Sequence, residues 1–156
     1  MSLNQRNLVL VMLVSKVLAD KGGKVYTIHR DKVVKEVANE LRERNIGAAV
    51  VTSLWGNVQG VITERDIVYG IGKHGGAALE LQAGKLMKTP APACKKSDNL
   101  ADIMALMTHS RVRHVVVLEG DELAGIVSIG DVLKNQLDET ELEVRVLRDY
   151  ARAIRP

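Results

Sequence analysis

The pattern of hydrophobic and polar positions predicts the same series of short elements in both halves of the chain. In the first half, residues 25–28 read as an apolar strand, and positions 33, 34, 37, 38 and 41 mark a helix with one buried side. Residues 46–52 and 58–62 then flank a Gly-Asn turn as in a hairpin, and a second helix spans 63–69. In the second half, the strands fall at 92–94, 112–118 and 123–128, and the helices at 100–108 and 130–136. The predicted fold class is therefore α+β, with two pseudo-symmetric β-α-β-β-α repeats packed into one body.

The residues repeat together with the elements. Segments 60–68 and 125–133 both read as a glycine, an apolar strand end, a hydroxyl residue, two variable residues, an aspartate and an apolar helix face. Upstream, the apolar positions 34, 37, 41 and 46 correspond to 100, 103, 107 and 112. Two copies are too few for a solenoid, so we expect a pseudo-symmetric pair in which a ligand site occurs twice.

This pattern divides the chain into a first repeat at 16–75, a second repeat at 83–137 and a helical tail at 138–156. The glycine-rich segment 70–92 links the repeats and contains a short predicted helix at 77–82. The tail places an apolar stripe on one side of a helix, and we expect that stripe to pack on the body or on another subunit. Its members are Leu142, Val146, Leu147, Tyr150 and Ile154.

Composition narrows the classes of function. Aromatic residues make up 3% of the 156 residues, so a platform for stacking nucleic-acid bases is disfavoured. The net charge of +3 comes without a run of more than two Lys or Arg residues, which argues against a DNA-binding stripe but leaves anionic small molecules as partners. The single Cys94 fits a reducing compartment, and the apolar run 8–14 is too short to span a membrane. We therefore expect a soluble, cytoplasmic protein with neither nucleic-acid nor membrane partners.

The repeated hydroxyl-x-x-aspartate motif, Thr63 to Asp66 and Ser128 to Asp131, has two interpretations. A hydroxyl N-cap followed three residues later by an acid is the aspartate form of a capping box, which is purely structural. Each copy, however, follows a buried strand and opens a helix. There the helix N-terminus and the hydroxyl can bind an anion, and the carboxylate can accept hydrogen bonds from both hydroxyls of a ribose. The repetition favours a nucleotide site.

With these residues, the chain resembles a pair of CBS domains, the module named after cystathionine β-synthase and also called a Bateman module. The resemblance covers residues 16–137. It implies two units packed about a pseudo-two-fold axis, with an adenosyl ligand such as AMP, ADP, ATP, NAD(H) or S-adenosylmethionine in the clefts between them. It further implies that Asp66 and Asp131 hold ribose, that Thr63 and Ser128 contact phosphate, and that backbone of the strands flanks adenine. The flanking residues by position are Thr27, Ile28 and Ala48 in one site and Cys94 and Val112 in the other.

The two predicted sites differ in their basic residues. Arg113 and His114 stand where many members of that family place basic residues against phosphate, whereas the first repeat has Gly47 and Ala48 there. Arg65, inside the first motif, is expected to compensate in part.

Other chemistry has little support in the sequence. The Gly70-x-Gly72-x-x-Gly75 segment follows a helix rather than a strand, so we interpret it as a helix end and linker and not as a dinucleotide fingerprint. Cys94 on a strand is expected to be a small core residue rather than a nucleophile paired with a histidine. The four histidines lack metal-ligand spacing. We therefore expect neither an enzyme nor a metal site.

The leading hypothesis is a stand-alone regulatory sensor that binds an adenine nucleotide and acts on an unidentified protein in trans. The alternative is a dimerisation scaffold with vestigial ligand sites. A homodimer is expected in either case, because the helices carry more apolar surface than one small sheet per repeat needs. The residues that suggest this surplus, besides the tail stripe, are Val34, Val37, Leu41, Leu100, Ile103, Met104 and Met107.

Overall fold

A computed structural model describes residues 11–153 and contains two three-stranded sheets. In each sheet the first strand pairs in parallel with the second, and the second pairs antiparallel with the third. The first sheet consists of β1 (Thr27–His29), β2 (Ala48–Thr52) and β3 (Val58–Thr63), and the second of β4 (Ala93–Lys95), β5 (His114–Glu119) and β6 (Glu122–Ser128). The prediction of a mixed fold with two matching units is confirmed.

Six α-helices and one 3-10 helix complete the described part of the chain. They are α1 (Val14–Lys21), α2 (Val34–Arg44), α3 (Glu64–His74), the 3-10 helix Gly75–Glu80, α4 (Ala83–Leu86), α5 (Leu100–Ser110) and α6 (Ile129–Ala153). Helix α1 was not predicted. None of the described helices is both long enough and apolar enough to cross a bilayer.

The C-terminal helix differs from its prediction. A helix at 130–136 and a separate tail were expected, but α6 is one continuous helix of 25 residues. No glycine or proline follows Gly130 within the helix, so nothing in the sequence interrupts it. Residues 8–10 of the apolar run and Ile154 of the tail stripe lie outside the described residues.

The helix that precedes each unit packs against the sheet of the other unit. Val17 and Leu18 of α1 are buried in the core that contains Cys94, β5 and β6, although α1 comes before the first sheet. Correspondingly, Ala83 of α4 and the partly buried Leu86 join the core of the first sheet, although α4 comes after it. The two units are therefore interlocked, since each completes its core with a helix from outside its own β-α-β-β-α segment.

Besides the two helix-covered cores, a third hydrophobic cluster joins the two sheets to each other. Alternate residues of a strand point to opposite faces, so Val51 and Val117 enter the two helix-covered cores while Val50 and Val116 face the space between the sheets. There they meet Ala48 and Val61, and all of these side chains are buried. The centre of the molecule is thus a small aliphatic interface, and the clefts described below open at its edges.

The helix faces expected to form an intermolecular surface are largely used within the chain. In α2 and α5, Met104 is partly buried, and the other six of the residues that suggested a surplus are at most 4% exposed. Those six are Val34, Val37, Leu41, Leu100, Ile103 and Met107. The expectation of spare apolar surface on these helices is wrong, because each sheet is narrow and the helix buries its whole apolar side against it. The tail stripe remains exposed, with Leu142, Val146, Leu147 and Tyr150 each 58–68% exposed.

Candidate functional site

Two clefts lie between the units, and each combines the motif of one unit with strand starts of the other. The first cleft brings Thr63 and Asp66 of the first unit opposite Val112 and Arg113 of the second. The second cleft brings Ser128 opposite Thr27, Ala48 and their neighbours. The first cleft is the narrower, with about 530 Å³ of free space against about 1560 Å³ in the second, both including their open mouths.

The strand starts reach the clefts through matching turns. Helices α2 and α5 are followed by Asn45 and Arg111, which both adopt the left-handed conformation with φ of 52°. This conformation ends a helix sharply and redirects the chain. After α2 the chain continues through Ile46 and Gly47, which line the second cleft. After α5 it continues through Val112, which lines the first.

The first motif forms a complete capping box at the start of α3. The backbone N–H of Thr63 donates to Asp66 Oδ2 at 2.8 Å, and the backbone N–H of Asp66 donates to Thr63 Oγ1 at 3.2 Å. The Thr63 hydroxyl also donates to Asp66 Oδ2, at 2.7 Å. The interpretation of the motif as a capping box is therefore correct here, but it does not exclude a nucleotide site. All of these bonds use Oδ2, so the box orients the carboxylate and leaves Oδ1 without a hydrogen bond among the described residues.

The second motif has the same backbone bonds and an additional cation. Asp131 Oδ2 accepts from the Ser128 backbone at 2.8 Å and from Lys21 Nζ of α1 at 2.6 Å. Burial by itself would raise the pKa of Asp131, but the hydrogen bonds from Lys21 and Ser128 outweigh it, so the pKa lies below its usual value. Sequence reasoning missed Lys21, because only the crossing of α1 to the second unit brings it near Asp131.

Two of the residues predicted to flank adenine point away from the clefts. The side chains of Ile28 and Cys94 are 5% and 6% exposed and lie in the two helix-covered cores. Burial, with a smaller contribution from the nearby Asp98, raises the pKa of the Cys94 thiol to about 11. Only the backbone of these two residues is available to a ligand, and their predicted role stays a prediction.

His114 lines both clefts. Burial lowers the pKa of His114. The negative charges of Glu64 and Asp131 act to raise it, and the positive charges of Lys21 and Arg113 act to lower it further. Its Nδ1 atom is buried without a hydrogen-bond partner in the described part of the chain. A Cβ atom at Gly47 would lie 3.3 Å from His114 Cε1, so the glycine makes room for the ring.

The basic residues are distributed differently from the expectation. Arg65 was expected to compensate for the absence of basic residues at Gly47 and Ala48, but Arg65 and Arg113 line the same, first cleft. The physical reason is that each cleft pairs one motif with the strand starts of the other unit. The second cleft instead contains a different set of cations, which are Lys21, Lys24 and Arg44. Arg44 lies over the ring of Tyr26, 4.3 Å from its centroid.

No group of three or more potential metal ligands occurs among residues 11–153.

Comparison with known proteins gives a consistent result. The family model described as "CBS domain" matches residues 15–73 and again residues 83–138. A curated relative, CBS domain-containing protein CBSX3, mitochondrial, from Arabidopsis thaliana, is 31% identical over 150 residues, covering 88% of this chain and 70% of that protein.

Two solved structures extend the comparison. The crystal structure of a CBS-domain-containing protein from Agrobacterium tumefaciens is 38% identical, with a TM-score of 0.78, and the match covers 80% of this chain and 99% of that one. A CBS domain protein from Pyrobaculum aerophilum, solved in complex with AMP, is 26% identical with a TM-score of 0.68, over 77% of this chain and 89% of that one.

Proposed function

The chain belongs to the CBS domain family, and we propose that it is a regulatory module that binds an adenosine-containing ligand in the first cleft. The observation that carries this proposal is the position of Asp66. Its oriented carboxylate stands at a helix N-terminus, on the opposite side of a narrow cleft from Val112 and Arg113 of the other unit. Residues from both units thus converge on one small volume, which a capping box alone does not require. The AMP complex of the Pyrobaculum aerophilum protein supports the same class of ligand.

The chemistry of the first cleft matches the parts of a nucleotide. Val61, Pro92 and Val112 form an apolar lining suited to a flat base. The free Oδ1 of Asp66 can accept hydrogen bonds from ribose hydroxyls. Four cations line the same cleft and favour a ligand that carries phosphate, namely Arg65, Lys88, Arg111 and Arg113.

The phosphate contact from the first motif requires one rearrangement. Thr63 Oγ1 already donates its proton to Asp66 Oδ2, so the hydroxyl must rotate before it can donate to a phosphate oxygen. In the second motif the Ser128 hydroxyl accepts from Asp131 N at 3.2 Å. The phosphate roles of Thr63 and Ser128 belong to this proposal, as does a ribose role for Asp131.

A regulatory rather than catalytic role follows from the same observations. The matching family model describes a CBS domain and indicates no catalytic family. The buried Cys94, with its raised pKa, is held in the thiol form and is unsuited to nucleophilic attack. The candidate ligands are AMP, ATP and NAD(H), which carry phosphate, and S-adenosylmethionine, which is cationic. We also propose that the protein acts on a partner protein in trans. Residence in the cytoplasm remains a prediction from composition.

Calorimetric titration of AMP, ATP, NADH and S-adenosylmethionine into the full chain and into Asp66→Asn tests the proposal. Asparagine retains an oxygen for the Thr63 backbone but loses the charge. We expect affinity for the best ligand to fall by about 1.5–3 kcal/mol, or about 10- to 150-fold, because charged hydrogen bonds to ribose are lost. Asp121→Asn, in the exposed hairpin turn, is the matched control. Absence of binding by every ligand, or equal affinity in Asp66→Asn, would contradict the proposal.

A dimerisation scaffold is the second candidate, and a specific observation favours it. Both motif aspartates are already engaged in capping boxes that stabilise α3 and α6, so structural constraint alone would explain the repeated motif. Under this alternative the titrations show no binding while the capping-box variants lower stability.

We further propose that the protein forms a homodimer in which the exposed stripe on α6 contacts a second copy. Beyond Leu137 the described part of α6 has only exposed or partly exposed residues, although Val146, Leu147 and Tyr150 are large and apolar. Exposed apolar surface of this kind normally marks an interface, and two-fold dimers are the commonest closed assembly.

A further inference from the structure

The two motifs differ in one ionic contact, which lies beside the second cleft. Lys21 Nζ donates to Asp131 Oδ2 at 2.6 Å and to the backbone carbonyl of Ile126 at 2.9 Å. The lysine and aspartate side chains are only 31% and 22% exposed. An ion pair that is partly buried is less screened by salt than a surface pair, so this contact competes with ligands more effectively.

The first cleft has no equivalent contact. Lys88 lines that cleft, but none of the ion pairs found within residues 11–153 joins it to Asp66. The Thr63 hydroxyl takes the position on Asp66 Oδ2 that the Lys21 ammonium takes on Asp131 Oδ2. Asp66 thus bonds to a neutral, rotatable hydroxyl and has no ion pair among the described residues, whereas Asp131 is paired with an ammonium.

We propose that Lys21 is an internal occupant of the second cleft, holding the carboxylate that would otherwise take ribose hydroxyls, so that this cleft binds an adenosine-containing ligand only after the ion pair opens. The inference rests on the proposed function, because it assigns Asp131 the role proposed for Asp66. As a consequence, the two clefts bind ligand in order. The first fills at low ligand concentration, and the second is blocked by a residue of α1 until the ion pair opens.

Lys21 connects the second cleft to helix α1. It is the last residue of α1, and α1 is anchored in the core of the second unit by Val14, Val17 and Leu18. Opening the pair therefore requires movement of the lysine side chain alone, with the helix in place. The charge of Lys21 remains beside the cleft after opening, where it can pair with a phosphate group of the ligand.

The test compares the full chain with Lys21→Met, which keeps the aliphatic stem and the helix propensity of lysine but removes the ammonium. Calorimetry with uncharged adenosine measures the ribose contact without a contribution from phosphate. We expect the wild-type chain to bind one adenosine per chain and Lys21→Met to bind a second, with affinity in the second cleft raised at least about tenfold. Adding Asp131→Asn to Lys21→Met should abolish this gain. Lys16→Met is the matched control, because Lys16 is on the same helix and pairs with Asp20 at an exposed position.

The ion pair is also measured without any ligand. Titration of the Asp131 carboxyl by carbon-13 NMR should give a pKa below the usual value in the wild type and a higher pKa in Lys21→Met. Equal pKa values would overturn the inference. So would a single binding event with the same affinity in both chains while Asp66→Asn loses it, and that result would leave the proposed function intact. Absence of binding by adenosine, AMP, ATP, NADH and S-adenosylmethionine in both chains would overturn both proposals.

Discussion

At the scale of single residues, the geometry of the first motif is compatible with both roles that sequence reasoning treated as competitors. In the first cleft, Asp66 uses Oδ2 to cap α3, and its Oδ1 has no hydrogen bond among the described residues. A carboxylate has enough acceptor positions for both tasks, so the capping bond holds the group that a ligand would contact. Which cations line each cleft, in contrast, depends on which residues of the other unit lie opposite its motif.

Arg113 provides a test of the phosphate assignment at this scale. Because its guanidinium lines the first cleft beside Arg65, Arg113→Ala should weaken AMP binding about three- to tenfold while the affinity for adenosine changes less than about twofold. Calorimetry with the two ligands measures the difference, and Lys35→Ala on the exposed side of α2 removes a charge elsewhere as the control. An equal loss for both ligands would show that Arg113 supports the fold instead.

At the scale of elements, the exchange of helices links the hydrophobic cores of the two units. Each unit completes the helix-covered side of its sheet with a helix from outside its own segment. Two glycines show how closely these helices approach. A Cβ atom at Gly125 of β6 would lie 2.6 Å from Leu18 Cδ2, and one at Gly70 of α3 would lie 2.6 Å from Leu86 Cδ1. Glycine at both positions therefore permits matching contacts in the two units.

Leu18→Ala tests the exchange. Leu18 is 7% exposed in the second core, so its truncation should lower the free energy of unfolding by about 2–4 kcal/mol through lost burial and a residual cavity. Urea unfolding measures the change, and we expect a single transition because the exchanged helices couple the two units. Leu54→Ala at the 84% exposed hairpin turn should change stability by less than about 0.5 kcal/mol. Equal effects of the two substitutions would mean that α1 does not pack on the second unit.

At the scale of the whole molecule, α6 is divided between two environments. Its first two turns bury Val132 and Asn135 against the second unit, whereas residues 140–153 are all exposed. A long amphipathic extension of this kind adds little to the stability of one chain and gains stability only from a partner. Assembly should therefore be separable from folding.

Truncation after Asp138 tests this separation. The shortened chain should keep the thermal midpoint of folding at low protein concentration but lose the dimer, while light scattering should give about twice the chain mass for the full chain. Leu147→Glu should have the same effect as truncation, since it places a charge in the stripe. Arg148→Glu, on the opposite side of the helix, should leave the dimer unchanged. A full chain that stays monomeric at high micromolar concentration would contradict the proposal.

The sequence by itself determined the repeat, the β-α-β-β-α order within each unit, the mixed fold class and the position of both motifs. These features are encoded locally, in the spacing of apolar residues and in the chemistry of helix starts. It did not show that α1 and α4 cross between the units, that α2 and α5 bury their whole apolar sides, or that Lys21 reaches Asp131. Nor could it show that Arg65 and Arg113 share a cleft. All of these depend on contacts between residues far apart in the chain, which are decided by how two narrow sheets share one aliphatic core.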